Sequence, residues 1–173
     1  AFYNDGDVQA KAVFAPMLIA AVGIILSIVG IYTVKTKEGA GMSQLLKSLG
    51  FGVNLSSVLI AADSFGILYL LEIPNWAGLS CSVIVGLVAG FIIGKSTEYY
   101  TSHSHKPTQT IAHSAESGPA TVIISGLGMG MISTAVPVIT IAVAIILAFL
   151  FATGFDTANL LTAHNLSLGL YGI

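Results

Sequence analysis

Four long apolar runs divide the chain, and short polar stretches separate them. Residues 12–34 carry no charge, 49–71 carry only Asp63, 77–94 are shorter, and 120–153 are longer than one crossing needs. An α-helix rises 1.5 Å per residue, so about 20 apolar residues cross the ~30 Å hydrocarbon layer of a bilayer. The first two runs meet that length, and the third lies at its low end. The fourth holds Pro137, so a kink is expected there, with one end projecting beyond the bilayer. No ten-residue alternation of the kind that builds a membrane barrel appears. In lipid every backbone N–H and C=O must find its partner within the protein. The pattern therefore predicts an all-α fold, a polytopic transmembrane helical bundle in contact with the lipid bilayer. Its spans are about 12–34, 49–71, 77–94 and 120–153, and its connectors are 35–48 and 95–119.

Composition points the same way. Of 173 residues, 55% are hydrophobic and 8% are charged, where a soluble domain averages about one quarter charged. So few charges cannot cover a water-facing surface. The net charge of -2 leaves no basic footprint for nucleic acid. All six basic residues are lysines. Lys35, Lys37 and Lys47 lie between the first two spans, Lys95 and Lys106 between the last two, and only Lys11 falls in the other set of loops. By the positive-inside rule the connectors 35–48 and 95–119 are cytoplasmic. Residues 1–11, the turn at 71–78 and the segment 154–166 then face outward, where Trp76 beside Pro74 suits an interfacial anchor. Cys81 stands alone, so no internal disulfide is expected. The first residues, AFYNDGDVQAK, lack the features of a secretory signal and read as the tail of a loop. The expectation is a piece of something longer, with the final GLYGI beginning a further span.

The candidate chemistry is sparse. Ser82, Gly86, Gly90 and Gly94 recur every four residues in the third span, and Gly126, Gly128 and Gly130 repeat the device in the fourth. Small residues at this spacing let two helices approach closely. Tight packing is the expected use, with an exposed dimer seam as the alternative. Asp63 is costly in lipid and should face the bundle or a partner helix. It is either a relay carboxylate on an ion path or an acid hydrogen-bonded by Asn54, Ser56 or Ser57, one or two turns away. Glu72 ends a span and reads as interfacial. The spacing of His103, His105 and His113 matches no zinc pattern, and His164 lies on the opposite side, so no metal site is assigned. GLGMG lacks the lysine and hydroxyl of a phosphate loop. No nucleophile–base pair is present.

One block of sequence is distinctive. TEYYTS at 97–102 is followed by a polar stretch, SGPAT at 117–121, and GLGMGMISTAVPV at 126–138. This order resembles the membrane-integral inorganic pyrophosphatases, which couple pyrophosphate hydrolysis to movement of H⁺ or Na⁺. The block covers about 40 residues, and the hydropathy of the whole chain fits an interior four-span portion of that sixteen-helix family. Val122 and Ile132 depart from the usual residues and leave the subfamily open. The resemblance implies a catalytic centre of Asp clusters and lysines holding Mg²⁺ and pyrophosphate. No such cluster exists here: Asp5, Asp7 and Asp156 lie on the outward side, and Asp63 is alone. No catalytic residue is carried over. By that resemblance these spans are outer supporting helices, Mg²⁺ binds outside this portion, and K⁺ is a candidate second cation. Thr97, Glu98, Tyr99, Tyr100, Thr101 and Ser102 would cap the third span beneath the catalytic funnel as structural support. Lys95 or Lys106 is the expected partner of Glu98. The fourth span, with its glycine face, would supply the homodimer contact. The membrane would be of the bacterial cell type.

Two other functions compete: a helical secondary transporter or channel segment using Asp63, and a purely structural membrane subunit. The first would require discontinuous helices around a midplane site, for which Pro137 alone is thin support. The TEYYTS–GPAT–STAVP block favours the pump.

Overall fold

A computed structural model describes residues 6–35, 41–73, 75–155 and 163–173, with the side chains of residues 42, 43, 163 and 164 excepted. Asp5, Lys37, Pro74 and Asp156, and the side chain of His164, lie outside the described residues. Among the described residues seven helices follow one another: α1 (Gly6–Thr33), α2 (Met42–Leu70), α3 (Trp76–Thr101), α4 (Lys106–Ser114), α5 (Pro119–Ser133), α6 (Ala135–Ala152) and α7 (Ala163–Gly172). A 3₁₀ turn, Ala115–Ser117, separates α4 from α5, and no strand occurs among the described residues. The fold is all-α, with four stretches among the described residues long and apolar enough to cross a membrane.

Two compact units emerge: residues 1–87 with 147–173, and residues 88–146. In the first, α1 and α2 lie side by side. Gly23 approaches Ile60, while Gly30 approaches Gly52 and Ser56. As α1 advances, its partner on α2 recedes, so the two helices run antiparallel. The Ser48 hydroxyl donates to the Lys35 carbonyl at 2.9 Å and closes the end of that hairpin. The buried core of this unit is Ala12, Ala15, Leu68, Ile73, Leu79, Ala152 and Leu168. Four of those seven are large, and three are alanines that admit a close neighbour.

Within this unit the N-terminal turns of α3 meet the C-terminal turns of α6. The Ser82 hydroxyl donates to the Ala148 carbonyl at 2.8 Å, and the Asn75 amide donates to the Ala152 carbonyl at 2.5 Å. Gly78 faces the Phe151 carbonyl so closely that a Cβ there would overlap it. Trp76, the first residue of α3, presents edge contacts to Phe65 at 6.3 Å and Tyr69 at 5.5 Å.

The second unit carries the far half of α3, then α4, the 3₁₀ turn, α5 and most of α6. Here α3 runs past Gly94, where the third apolar run ends, to Thr101. Nothing between those positions stops a helix. The hydroxyls of Thr97 and Thr101 bond the carbonyls of Ile93 and Thr97, at 2.9 and 2.7 Å, which suits a β-branched residue held in a helix. At the other boundary Gly118 takes φ +116°, a conformation that disfavours side chains, and Pro119 then starts α5. In place of the kink expected at Pro137 there is a one-residue interruption at Thr134, which keeps helical dihedrals: α5 ends at Ser133 and α6 begins at Ala135. Pro137 therefore sits in the first turn of α6, where its missing N–H costs nothing.

Candidate functional site

TEYYTS is helical up to Thr101, and Ser102 donates its backbone N–H to the Glu98 carbonyl at 2.9 Å. The segment is the last turn and a half of α3. Glu98 pairs with Lys95 one turn back, Nζ to Oε2 at 2.7 Å. Of the two expected lysines, this is the one in reach. The side chains keep 53% and 31% of their exposure, so the pair contributes only about 0.2–0.5 kcal/mol. Tyr99 meets Tyr100 edge to face at 5.2 Å and the His105 ring at 5.1 Å.

α4 is tied back to this end of α3. Its N-cap residue is His105, with Pro107 in the first turn, where a proline is favoured. The Thr108 hydroxyl donates to the Tyr100 carbonyl at 3.2 Å, and the Gln109 amide donates to the His103 carbonyl at 3.3 Å. These bonds answer carbonyls at the end of α3 and around the turn, where helical partners run out. The geometry is that of a braced corner. It brings hydroxyls, amides and rings together, but only one carboxylate, already neutralised by a lysine.

His113 pairs with Glu116, Nδ1 to Oε1 at 3.4 Å, with both side chains exposed. The Nδ1 of His105 is buried without a hydrogen-bond partner among the described residues. No three of His, Cys, Asp and Glu among the described residues are grouped to hold a metal ion. The donors present therefore do not fit Mg²⁺, which needs several carboxylate and water oxygens around it.

Asp63 lies on α2, half-buried, with Oδ2 buried and unpartnered among the described residues. The serines expected to reach it are committed elsewhere. Ser56 donates to the Gly52 carbonyl at 3.0 Å, and Ser57 donates to the Val53 carbonyl at 2.9 Å. Glu72 lies 4.0 Å from Lys11, with both side chains exposed.

The small-residue faces behave unevenly. Ser82 makes its close contact with α6. A Cβ on Gly86, Gly90, Gly94, Gly126, Gly128 or Gly130 would meet nothing within 4 Å. The close approaches fall at other glycines: Gly30, Gly52, Gly78, Gly169 and Gly172. A signal for two of them was present. Gly23, Ser27 and Gly30 form a small-residue face on α1, and Gly52 and Ser56 form its counterpart on α2.

The family of inorganic H⁺ pyrophosphatases matches residues 3–173. A protein of Bacteroides thetaiotaomicron, described as a candidate K⁺-stimulated pyrophosphate-energized sodium pump, is 58% identical over all of this chain and 23% of its own length. Its counterpart in Clostridium tetani, described in the same words, is 34% identical over 94% of this chain and 22% of its own length. A protein of Moorella thermoacetica, named a K⁺-insensitive pyrophosphate-energized proton pump, is 33% identical over 94% of this chain and 26% of its own length. The chain spans about a quarter of the length of these relatives.

Proposed function

The chain belongs to the inorganic H⁺ pyrophosphatase family, and from that premise we propose that it is the supporting part of a pyrophosphate-energised ion pump in an integral membrane protein. The family match along residues 3–173 is the observation that carries this reading. The complete protein would couple Mg²⁺-dependent pyrophosphate hydrolysis to ion movement. The moved ion would be Na⁺, with K⁺ as a stimulant. Identity of 58% to a relative described as a sodium pump, against 33% to a named proton pump, supports that choice.

This portion serves as outer supporting helices of a bacterial-type cell membrane, with connectors 35–48 and 95–119 on the cytoplasmic side. The lysine distribution supports that orientation. The braced corner of Thr97 to Ser102 and α4 acts as structural support beneath the catalytic funnel. Its single, lysine-paired carboxylate is too little to hold metal-bound pyrophosphate. Gly126, Gly128 and Gly130 on α5 present an open small-residue face and form the homodimer contact.

The test is phosphate release from pyrophosphate in inverted membrane vesicles that contain the complete protein and Mg²⁺. Release that K⁺ stimulates, with Na⁺ taken up into the vesicles, is expected; residues 1–173 alone should release none. Absence of release by the complete protein would overturn the pump, and K⁺-insensitive H⁺ uptake would overturn the choice of Na⁺.

A further inference from the structure

Among the described prolines only Pro16 sits inside a helix. Pro107 and Pro119 start helices, and Pro137 follows the interruption at Thr134. A proline has no N–H, so the carbonyl four residues before it loses its helical donor. For Pro16 that residue is Ala12. Inside a bilayer no water replaces the lost bond, and another part of the protein must supply a donor.

Tyr171 supplies it. Its hydroxyl donates to the Ala12 carbonyl at 2.6 Å from the opposite end of the chain. Several contacts hold the tyrosine in place independently of that bond. A Cβ on Gly169 would overlap the Phe149 ring, and a Cβ on Gly172 would overlap that of Ala152. α7 therefore lies flush against the end of α6 on either side of Tyr171. Ala12 and Ala15 are 1% and 0% exposed, so the start of α1 is covered where Tyr171 reaches it.

We propose that Tyr171 is a positioning residue: it replaces the hydrogen bond that Pro16 denies to α1 and so fastens the first turns of α1, Gly6 to Ala15, to α7. The proline uncouples those turns from the rest of their own helix, and the tyrosine couples them to another. Movement of α7 then bears on the start of α1, which also shares a buried core with Leu68 and Ile73 at the end of α2. This clasp does not depend on which ion is moved or on whether the pump hydrolyses pyrophosphate.

The experiment is a double-mutant cycle in the complete protein, reconstituted in liposomes, read by hydrogen–deuterium exchange of peptides covering residues 6–15. Tyr171→Phe keeps the ring and removes the hydroxyl. It should raise exchange in 6–15 by roughly three- to fivefold, with 17–33 unchanged, as expected for one intramembrane hydrogen bond. In a Pro16→Ala background the restored N–H answers Ala12, and Tyr171→Phe should then change nothing. An equal rise in both backgrounds, or none in either, would overturn the proposal. Should Pro16→Ala fail to fold, Tyr171→Phe alone decides. A rise confined to 6–15 supports the clasp, and a rise spread evenly through α1 and α7 sinks it.

Discussion

The two compact units differ in how much they bury. Of the nine most buried hydrophobic residues, all but Ala89 lie in the first unit, as do the buried Ser64, Ser80, Ser82 and Thr153. There, helices meet through glycine, alanine and serine, and hydroxyls or amides bond across to carbonyls. Large apolar side chains stay more than half exposed in both units, Val13, Met17, Ile24 and Leu70 in the first and Ile123, Leu127, Met131 and Ile139 in the second. Both units contain stretches long and apolar enough to cross a membrane, so possession of apolar helices does not separate them. In lipid an apolar side chain gains nothing by leaving the solvent, and helices associate where small residues let backbones come close. The first unit has such places within this chain. In the second, a Cβ on Gly90, Gly94, Gly126, Gly128 or Gly130 would meet nothing within 4 Å.

The sharpest break of that contrast is Gly78→Ala. The added methyl meets a backbone carbonyl, that of Phe151, which cannot swing aside. A loss of about 3 kcal/mol is expected, read as a lower thermal midpoint of the complete protein in detergent. Gly126→Leu should act in the opposite fashion, because its site is open. The midpoint of the protomer should stay put while self-association weakens about tenfold, roughly 1.4 kcal/mol, read by sedimentation. A fall in protomer stability as large as that of Gly78→Ala would mean that the second unit packs as the first does.

Smaller effects sharpen the picture. Ser82→Ala removes the bond to Ala148 and should cost about 0.6 kcal/mol, the usual worth of an interhelical hydrogen bond in a membrane. Lys95→Ala breaks a pair that water already screens, so stability should fall by at most about 0.5 kcal/mol. Phosphate release should be nearly unchanged; a large loss of release with folding intact would make the braced corner part of the catalytic machinery. Asp63→Asn keeps the shape of the acid, and hydrolysis by the complete protein should remain largely intact. Loss of hydrolysis from a folded Asp63→Asn protein would move α2 out of the supporting ring.

Much of the architecture was legible because membrane helices are long and uniform. The runs at 12–34 and 49–71 overlap α1 and α2, which begin earlier, at Gly6 and Met42, since length and apolarity favour a helix there but do not set where it starts. The end of α3 was harder. Lys95, Thr97 and Glu98 look like loop residues by polarity, yet each is tolerated in a helix, and local hydroxyl and ion-pair bonds carry α3 on to Thr101. Polarity marks where a chain can leave the bilayer, not where its helix must end. The candidate site was legible as a motif, TEYYTS, but its brace was not. The bonds from Thr108 to Tyr100 and from Gln109 to His103 depend on how α4 folds back.

By itself the sequence determined the helical class, the number of membrane-length apolar runs, the lysine asymmetry and the family. Each of these is a sum over many residues or a fixed motif, and so is insensitive to which side of a helix any one residue takes. Tertiary structure alone decided which small residues touch. Gly90 and Gly78 are the same residue on the same helix, yet one faces open space and the other a carbonyl. It also decided that the carbonyl Pro16 leaves unanswered would be answered by Tyr171, 159 positions from Ala12. A proline states that a donor is missing; only the path of the whole chain determines who supplies it.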